Sequence, residues 1–232
     1  MNPALRTAAT GMAAQQARVD AIAHNLANVG TTAFKRSRVQ FESLLYQTLE
    51  GQRLSSYPGA ETSGPLQVGR GVKVVANAKV HTQGPVEMTG RPLDIAIDGE
   101  GLFQVRRPDG TIAYTRDGSF SLSESGLLVT HNGEAILPEI VVPSEAEAVT
   151  ISPTGEVSAT LPGNPEPILL GRIELVRFVN PAGLMALGQN LYAETIASGT
   201  PVLGYPQEEG FGRLIQGALE GSNVQVVQEM VD

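Results

Sequence analysis

Along the first thirty residues, large or apolar side chains recur every seven positions: Leu5, Met12, Val19 and Leu26, each followed three residues later by Ala8, Gln15, Ile22 and Val29. That spacing is the a/d seam of a helix that needs a partner to cover one stripe. Nine alanines from Ala4 to Ala27 favour the helix and keep it slim. Asn28, Gly30 and Thr31 end the period, because such residues prefer caps and turns. Near the other end, Ser222 or Asn223 reads as an N-cap, with Val224, Val227 and Val231 at a, d, a spacing behind it. A helix of about ten residues is too short to stand alone or to cover one of about 25. The N-terminal seam therefore folds onto the chain's own body, or packs with a longer C-terminal partner or the helices of neighbouring copies.

The period changes twice. Val39–Leu49 is a short apolar-polar segment, and 51–71 is rich in Gly, Ser and Pro with no helical repeat. From Val72 the alternation Val72, Val74, Ala76, Ala78, Val80 marks a half-buried strand. Further strands are predicted at Asp94–Ile97, Leu102–Arg106, Ile112–Thr115, Ser119–Leu122, Leu127–Thr130, Ala135–Leu137, Ile140–Val142, Ala148–Ile151, Glu156–Thr160, Ile168–Val179 and Phe211–Gln216. Turn chemistry separates them at Asp109-Gly110, Asp117-Gly118, Asn132-Gly133, Thr154-Gly155 and Gly163-Asn164. The fold class is mainly β with terminal α-helices: a β-sandwich-like body on a stalk of N- and C-terminal coiled-coil helices, with discontinuous domains. The division is 1–38 plus 222–232 as helical domain, 39–71 as extended linker, and 72–221 as β-rich body.

Composition narrows the class. The chain has 232 residues, 41% of them hydrophobic, with 26 glycines, 15 prolines and no cysteine. This suits a folded, turn-rich β-protein and rules out disulfides and thiolate metal sites. The net charge of −8 is uneven, because residues 1–40 carry +4 and the remainder −12. A basic end on an acidic body argues against nucleic-acid binding. Lys35-Arg36-Ser37-Arg38 reads equally as a solvated turn or an inter-subunit contact. No apolar run is long enough to cross a membrane as a helix, and the N-terminus lacks the layout of a signal peptide.

Particular stretches are similar to a known family. Asn25-Leu26-Ala27-Asn28-Val29-Gly30-Thr31-Thr32-Ala33-Phe34-Lys35-Arg36 resembles the N-terminal signature of the flagellar rod and hook (axial) proteins. Phe41-Glu42-Ser43-Leu44-Leu45-Tyr46-Gln47-Thr48 resembles the branch that builds the distal rod. The resemblance continues through Tyr114–Phe120, Gly126–Thr130, Asn190-Leu191-Tyr192 and Gln216–Val224, and so covers nearly the whole chain. It implies a structural subunit that polymerises helically into a rigid shaft carrying torque from motor to hook. It further implies proximal rod proteins, the hook protein and the surrounding basal-body rings as partners, and export through the type III apparatus without a cleaved signal into a periplasm-spanning rod. The Gly51–Gly71 segment would then contact neighbouring subunits. The assembly residues are Leu5, Met12, Val19, Ile22, Leu26, Val224, Val227 and Val231 from the seams, with Asn25, Asn28, Phe34 and Tyr46 from the family motifs. In two places the chain departs from the pattern. Ala33 stands where the family usually has Gly, so a left-handed backbone angle is not expected there. The family's C-terminal helix also runs on past the point where this sequence stops.

Candidate chemistry is thin. Asp94, Asp98, Glu100, Asp109 and Asp117 are the carboxylates from which a glycosidase pair would have to come, yet Asp109 and Asp117 each precede Gly, where backbone turns favour Asp. His24, His81 and His131 are too scattered for a metal motif, and no phosphate-binding glycine loop is present. No cofactor, small-molecule substrate or catalytic residue is expected. The alternatives are a proximal rod or hook subunit, a cell-wall hydrolase, or a soluble export chaperone.

Overall fold

The computed structural model describes residues 3–50 and 66–231. It is mainly β, with one long helix at the start and a short one at the end. The chain forms two compact units, Met1–Leu26 with Ser37–Lys79 and Ala27–Arg36 with Val80–Asp232.

The first unit contains α1 (Pro3–Ala27), β1 (Ser37–Ser43), β2 (Tyr46–Glu50), β3 (Leu66–Gly69) and β4 (Val72–Lys79). β1 and β4 pair antiparallel from Ser37↔Lys79 to Ser43↔Val72, with a bulge at Gln40/Phe41. β2 and β3 form a second antiparallel pair. The segment expected as an extended linker thus holds paired strands at both ends, while 51–65 lies outside the described residues. The buried face of α1 carries Ala14, Ala21 and Asn25, flanked by half-buried Thr7, Gly11 and Arg18. Small side chains let the chain come close: Thr10 Oγ1 accepts from the Val72 N–H at 3.4 Å and donates to the Thr7 carbonyl at 2.8 Å. Asn25, an unusual residue in a helix interior, donates to the Ser37 carbonyl at 2.9 Å and accepts from the Ser37 N–H at 2.8 Å. Its amide stands in for a ladder partner at the start of β1.

The second unit holds β5 (Val86–Met88), β6 (Ile95–Asp98), β7 (Leu102–Arg106), β8 (Ile112–Thr115), β9 (Phe120–Leu122), β10 (Leu128–Thr130), β11 (Ala135–Leu137), β12 (Ala148–Ile151), β13 (Glu156–Leu161), β14 (Asn164–Arg172) and β15 (Leu175–Arg177). It continues with β16 (Met185–Gly188), β17 (Leu191–Ala193), β18 (Val202–Gly204), β19 (Arg213–Gln216), β20 (Ala218–Glu220) and α2 (Val226–Val231). Nine of these strands make one sheet, in which β16, β17, β8 and β7 follow one another and β7 is flanked on its other side by β11 and β15. β12–β13–β14 form a three-stranded sheet, and β6 pairs with β19. The main core joins these layers: Phe103, Phe120 and Leu175 from the large sheet, Ile151 from the small one, and Ile97 and Leu214 from the β6–β19 pair. Phe103 and Phe120 meet edge to face at 5.1 Å. A second cluster lies on the opposite face of the large sheet and includes Leu102, Tyr114, Val176 and Tyr192.

Several local expectations are corrected. Ile140–Val142 is not a strand, only a single bridge from Val141 to Leu127. Ile168–Val179 is two strands, because the chain leaves β14 at Arg172 and enters another sheet at Leu175. α2 begins at Val226, so neither Ser222 nor Asn223 caps it, and Val224 is buried ahead of the helix. Ala33 takes φ +55° despite its Cβ, and is fully buried. Of the five turn glycines, Gly110, Gly133, Gly155 and Gly163 have the left-handed φ that their turns require. Gly118 does not, and is needed for another reason: a Cβ there would sit 1.7 Å from the Ile95 carbonyl oxygen.

Candidate assembly surface

Each helix exposes an apolar stripe. Leu5, Met12 and Val19 are 69%, 69% and 58% exposed, and Leu26 is exposed below them. The inward series Thr7 (half-buried), Ala14 and Ala21 is displaced from them by two residues, about 200° around the helix. α1 therefore packs on one side through small residues and presents its large apolar ones on the other. Ile22 lies between the two and is half-buried, whereas Ala8 and Gln15 are exposed. On α2, Val227, Met230 and Val231 are all strongly exposed, while Glu229 is buried and faces Arg36 at 3.7 Å.

The remaining predicted assembly residues lie off these two stripes. Asn25 is spent on Ser37, and Asn28 accepts from the Thr31 hydroxyl at 3.2 Å. Phe34 and Val224 are buried within the second unit. Tyr46 is exposed on β2, where it pairs with Gly69 of β3.

What sequence reasoning missed is a buried ionic lock. Glu220 accepts from Lys35 Nζ at 2.5 Å through one carboxylate oxygen and from Arg116 Nε at 2.6 Å through the other. The Gly84 N–H adds a third bond at 2.9 Å. Arg116 also donates to the Ile97, Gly99 and Gly101 carbonyls, and Lys35 to the Thr82 carbonyl. All three side chains are buried, so Lys35 is neither a solvated turn residue nor a surface contact. Burial alone would raise the Glu220 pKa, but Arg116 and Lys35 outweigh it and hold the carboxyl below its usual range. Burial pulls Lys35 down, partly offset by Glu220. Tyr192 is pushed up to about 12 by burial, with the Glu220 charge adding to it. Beside the lock, Asn223 accepts from the Arg36 N–H at 2.7 Å and donates to the Val80 carbonyl at 2.8 Å. It ties the chain ends of this unit together. The readable signal was position: Lys35, Arg116 and Glu220 each fall inside a motif that carried the family resemblance.

The carboxylates weighed for catalysis are engaged locally. Asp109 accepts from the Thr111 N–H and hydroxyl, and Asp117 from the Ser119 N–H and hydroxyl, which closes both turns. Asp98 pairs with Arg213 at 2.9 Å and Asp94 accepts from the Thr89 hydroxyl at 2.7 Å. Glu100 faces Arg177 at 3.8 Å.

Three family models match the chain: flagella basal body rod protein over residues 5–35, the D1 domain of the flagellar hook protein FlgE/F/G over 96–159, and the C-terminal part of the flagellar basal body rod FlgEFG proteins over 215–232. Each contributes one member of the lock. The chain is similar over its full length to flagellar basal-body rod protein FlgG of Borreliella burgdorferi (49% identical, 88% of that protein covered) and of Buchnera aphidicola from Acyrthosiphon pisum (47%, 89% covered). The FlgG of Caulobacter vibrioides is 46% identical over 98% of the chain and 87% of its own length.

Proposed function

We propose, from the premise that this chain belongs to the flagellar basal-body rod protein family and is a structural subunit of the rod, that its copies polymerise helically through the exposed helix stripes into the torque-carrying distal shaft. Members of this family assemble into the basal-body polymer with other rod and hook proteins. The observation that carries the mechanism is the two-sided α1. Its inward face is satisfied by small residues, so Leu5, Met12, Val19 and Leu26 remain wet unless another helix covers them. Burying them is favourable at about 25 cal/mol per Å² of apolar surface. A head-to-tail contact that does not close into a ring extends into a filament. Val227 and Val231 of α2 join the same layer, and Tyr46 on the β2–β3 hairpin contacts a neighbouring copy. The helical layer of 1–38 with 222–232, the segment 39–71 and the body 72–221 are the functional divisions of this reading. Proximal rod proteins, the hook protein, the surrounding rings and the type III export apparatus are its partners, and the periplasm-spanning rod is its site. The relatives are rod and hook proteins, which gives the wall-hydrolase alternative no support.

The test is Val19→Asp. Exposed in the free subunit, it is expected to leave the urea midpoint unchanged while abolishing rod assembly and motility. Normal rods in that variant would defeat the proposal.

A further inference from the structure

The large sheet of the second unit has one uninterrupted path, β16–β17–β8–β7–β15–β18, antiparallel at every step. Among the described residues β16 pairs only with β17, and β18 only with β15. Both ends are therefore open edges. Neither carries the charge or proline with which sheets ordinarily blunt an edge: β16 reads Met-Ala-Leu-Gly and β18 Val-Leu-Gly. Met185, Leu187, Val202 and Leu203 are all exposed.

We infer that β18 of one copy pairs with β16 of the next, so that the sheet runs on from subunit to subunit. This rests on the polymer reading above and assigns to it a second contact, in the β-body. The occupant is a second copy because the two edges fit one another in direction, face and size. Six strands alternating in sense leave β16 and β18 antiparallel. A neighbour brought up in the same orientation therefore presents its β16 antiparallel to β18, which continues the ladder without reversal. The faces agree as well. Leu203 lies opposite Val176, and Ala186 opposite Tyr192, both on the face of the second apolar cluster. Met185 and Val202 point to the other face, the one on which Ala193 and Arg177 stand. Setting Leu203 against Ala186 places Gly204 against Met185, while Val202 meets the bulge that Leu187 forms between Ala186 and Gly188. Both regular pairs set a large side chain against a small one, so the two edges approach without a clash. Because the two edges belong to opposite ends of one sheet, the contact is head-to-tail, the class of contact from which an open filament grows when its rotation does not close a ring.

The chain has no cysteine, which makes the test direct. The double variant Ala186→Cys/Leu203→Cys, made in the full chain and assembled in cells, is oxidised with diamide in isolated basal bodies and run on a non-reducing gel. The expected result is a ladder of covalent multimers from the double variant and none from either single variant. Assembled rods that give no ladder overturn the edge pairing and leave the helix-stripe reading standing. Failure of the unsubstituted chain to form rods overturns both. If the urea midpoint shows that the first pair disturbs the fold, Leu187→Cys/Val202→Cys, at the neighbouring position of the same edges, carries the same test with the same two outcomes.

Discussion

At Glu220 one buried carboxylate serves a lysine, an arginine and a backbone N–H drawn from three distant parts of the chain. Removing its charge leaves two cations out of water without a counter-ion. Glu220→Gln is expected to cost about 3–5 kcal/mol, read as a lower urea midpoint of the second unit; a loss under about 1 kcal/mol would mean that water or the carbonyl partners already neutralise the pair. Little of this was legible in the sequence. A charged residue in a motif reads as surface, because burial is favourable only once its partners are known, and those partners lie 185 and 104 positions away from Glu220. Ala33 misled for a related reason. Propensity argues against a left-handed alanine, at about 1–2 kcal/mol. The fold imposes it nonetheless, because the Ala33 N–H must reach the Glu220 carbonyl at 2.8 Å. By contrast Asp109 and Asp117 were readable, since their partners stand two residues away.

Among the elements, α1 was legible in extent and in its apolar stripe, because both depend on residues three to seven apart. β7, β8, β11 and β12 match their predicted bounds, being flanked by strong turn residues. β1, β2 and β3 fall in or beside the segment expected as a linker, and β5, β16, β17, β18 and β20, of three or four residues each, carry almost no period and were not predicted. What seats α1 was also hidden: Gly71 at φ +110°, where a Cβ would lie 2.1 Å from Thr10 Oγ1. Gly71→Ala combines a forbidden angle with a clash against the helix. It is expected to destabilise the first unit by about 1–3 kcal/mol and to speed amide exchange in β4; wild-type exchange there would show that Thr10 yields without cost.

For the whole molecule, stability in alkali follows from Tyr192. Its folded-state pKa of about 12 stands above the ordinary 10, so the folded chain holds the phenolic proton more tightly than the unfolded one. That contribution is complete below pH 10 and is lost as the pH climbs from 10 to 12, about 3 kcal/mol over two units. Lys35, whose pKa is lowered, titrates in the opposite sense, so the comparison must be between variants. Tyr192→Phe should therefore show a flatter fall in unfolding free energy than wild type across that window, and parallel curves would refute the assignment. The lock has a temporal consequence too. Synthesis delivers Lys35 first, Arg116 next and Glu220 only after most of the chain has left the ribosome, so a nascent polypeptide holds two cations that it cannot yet shelter. The lock can therefore form only after Glu220 has been made, whatever else of the second unit has already folded.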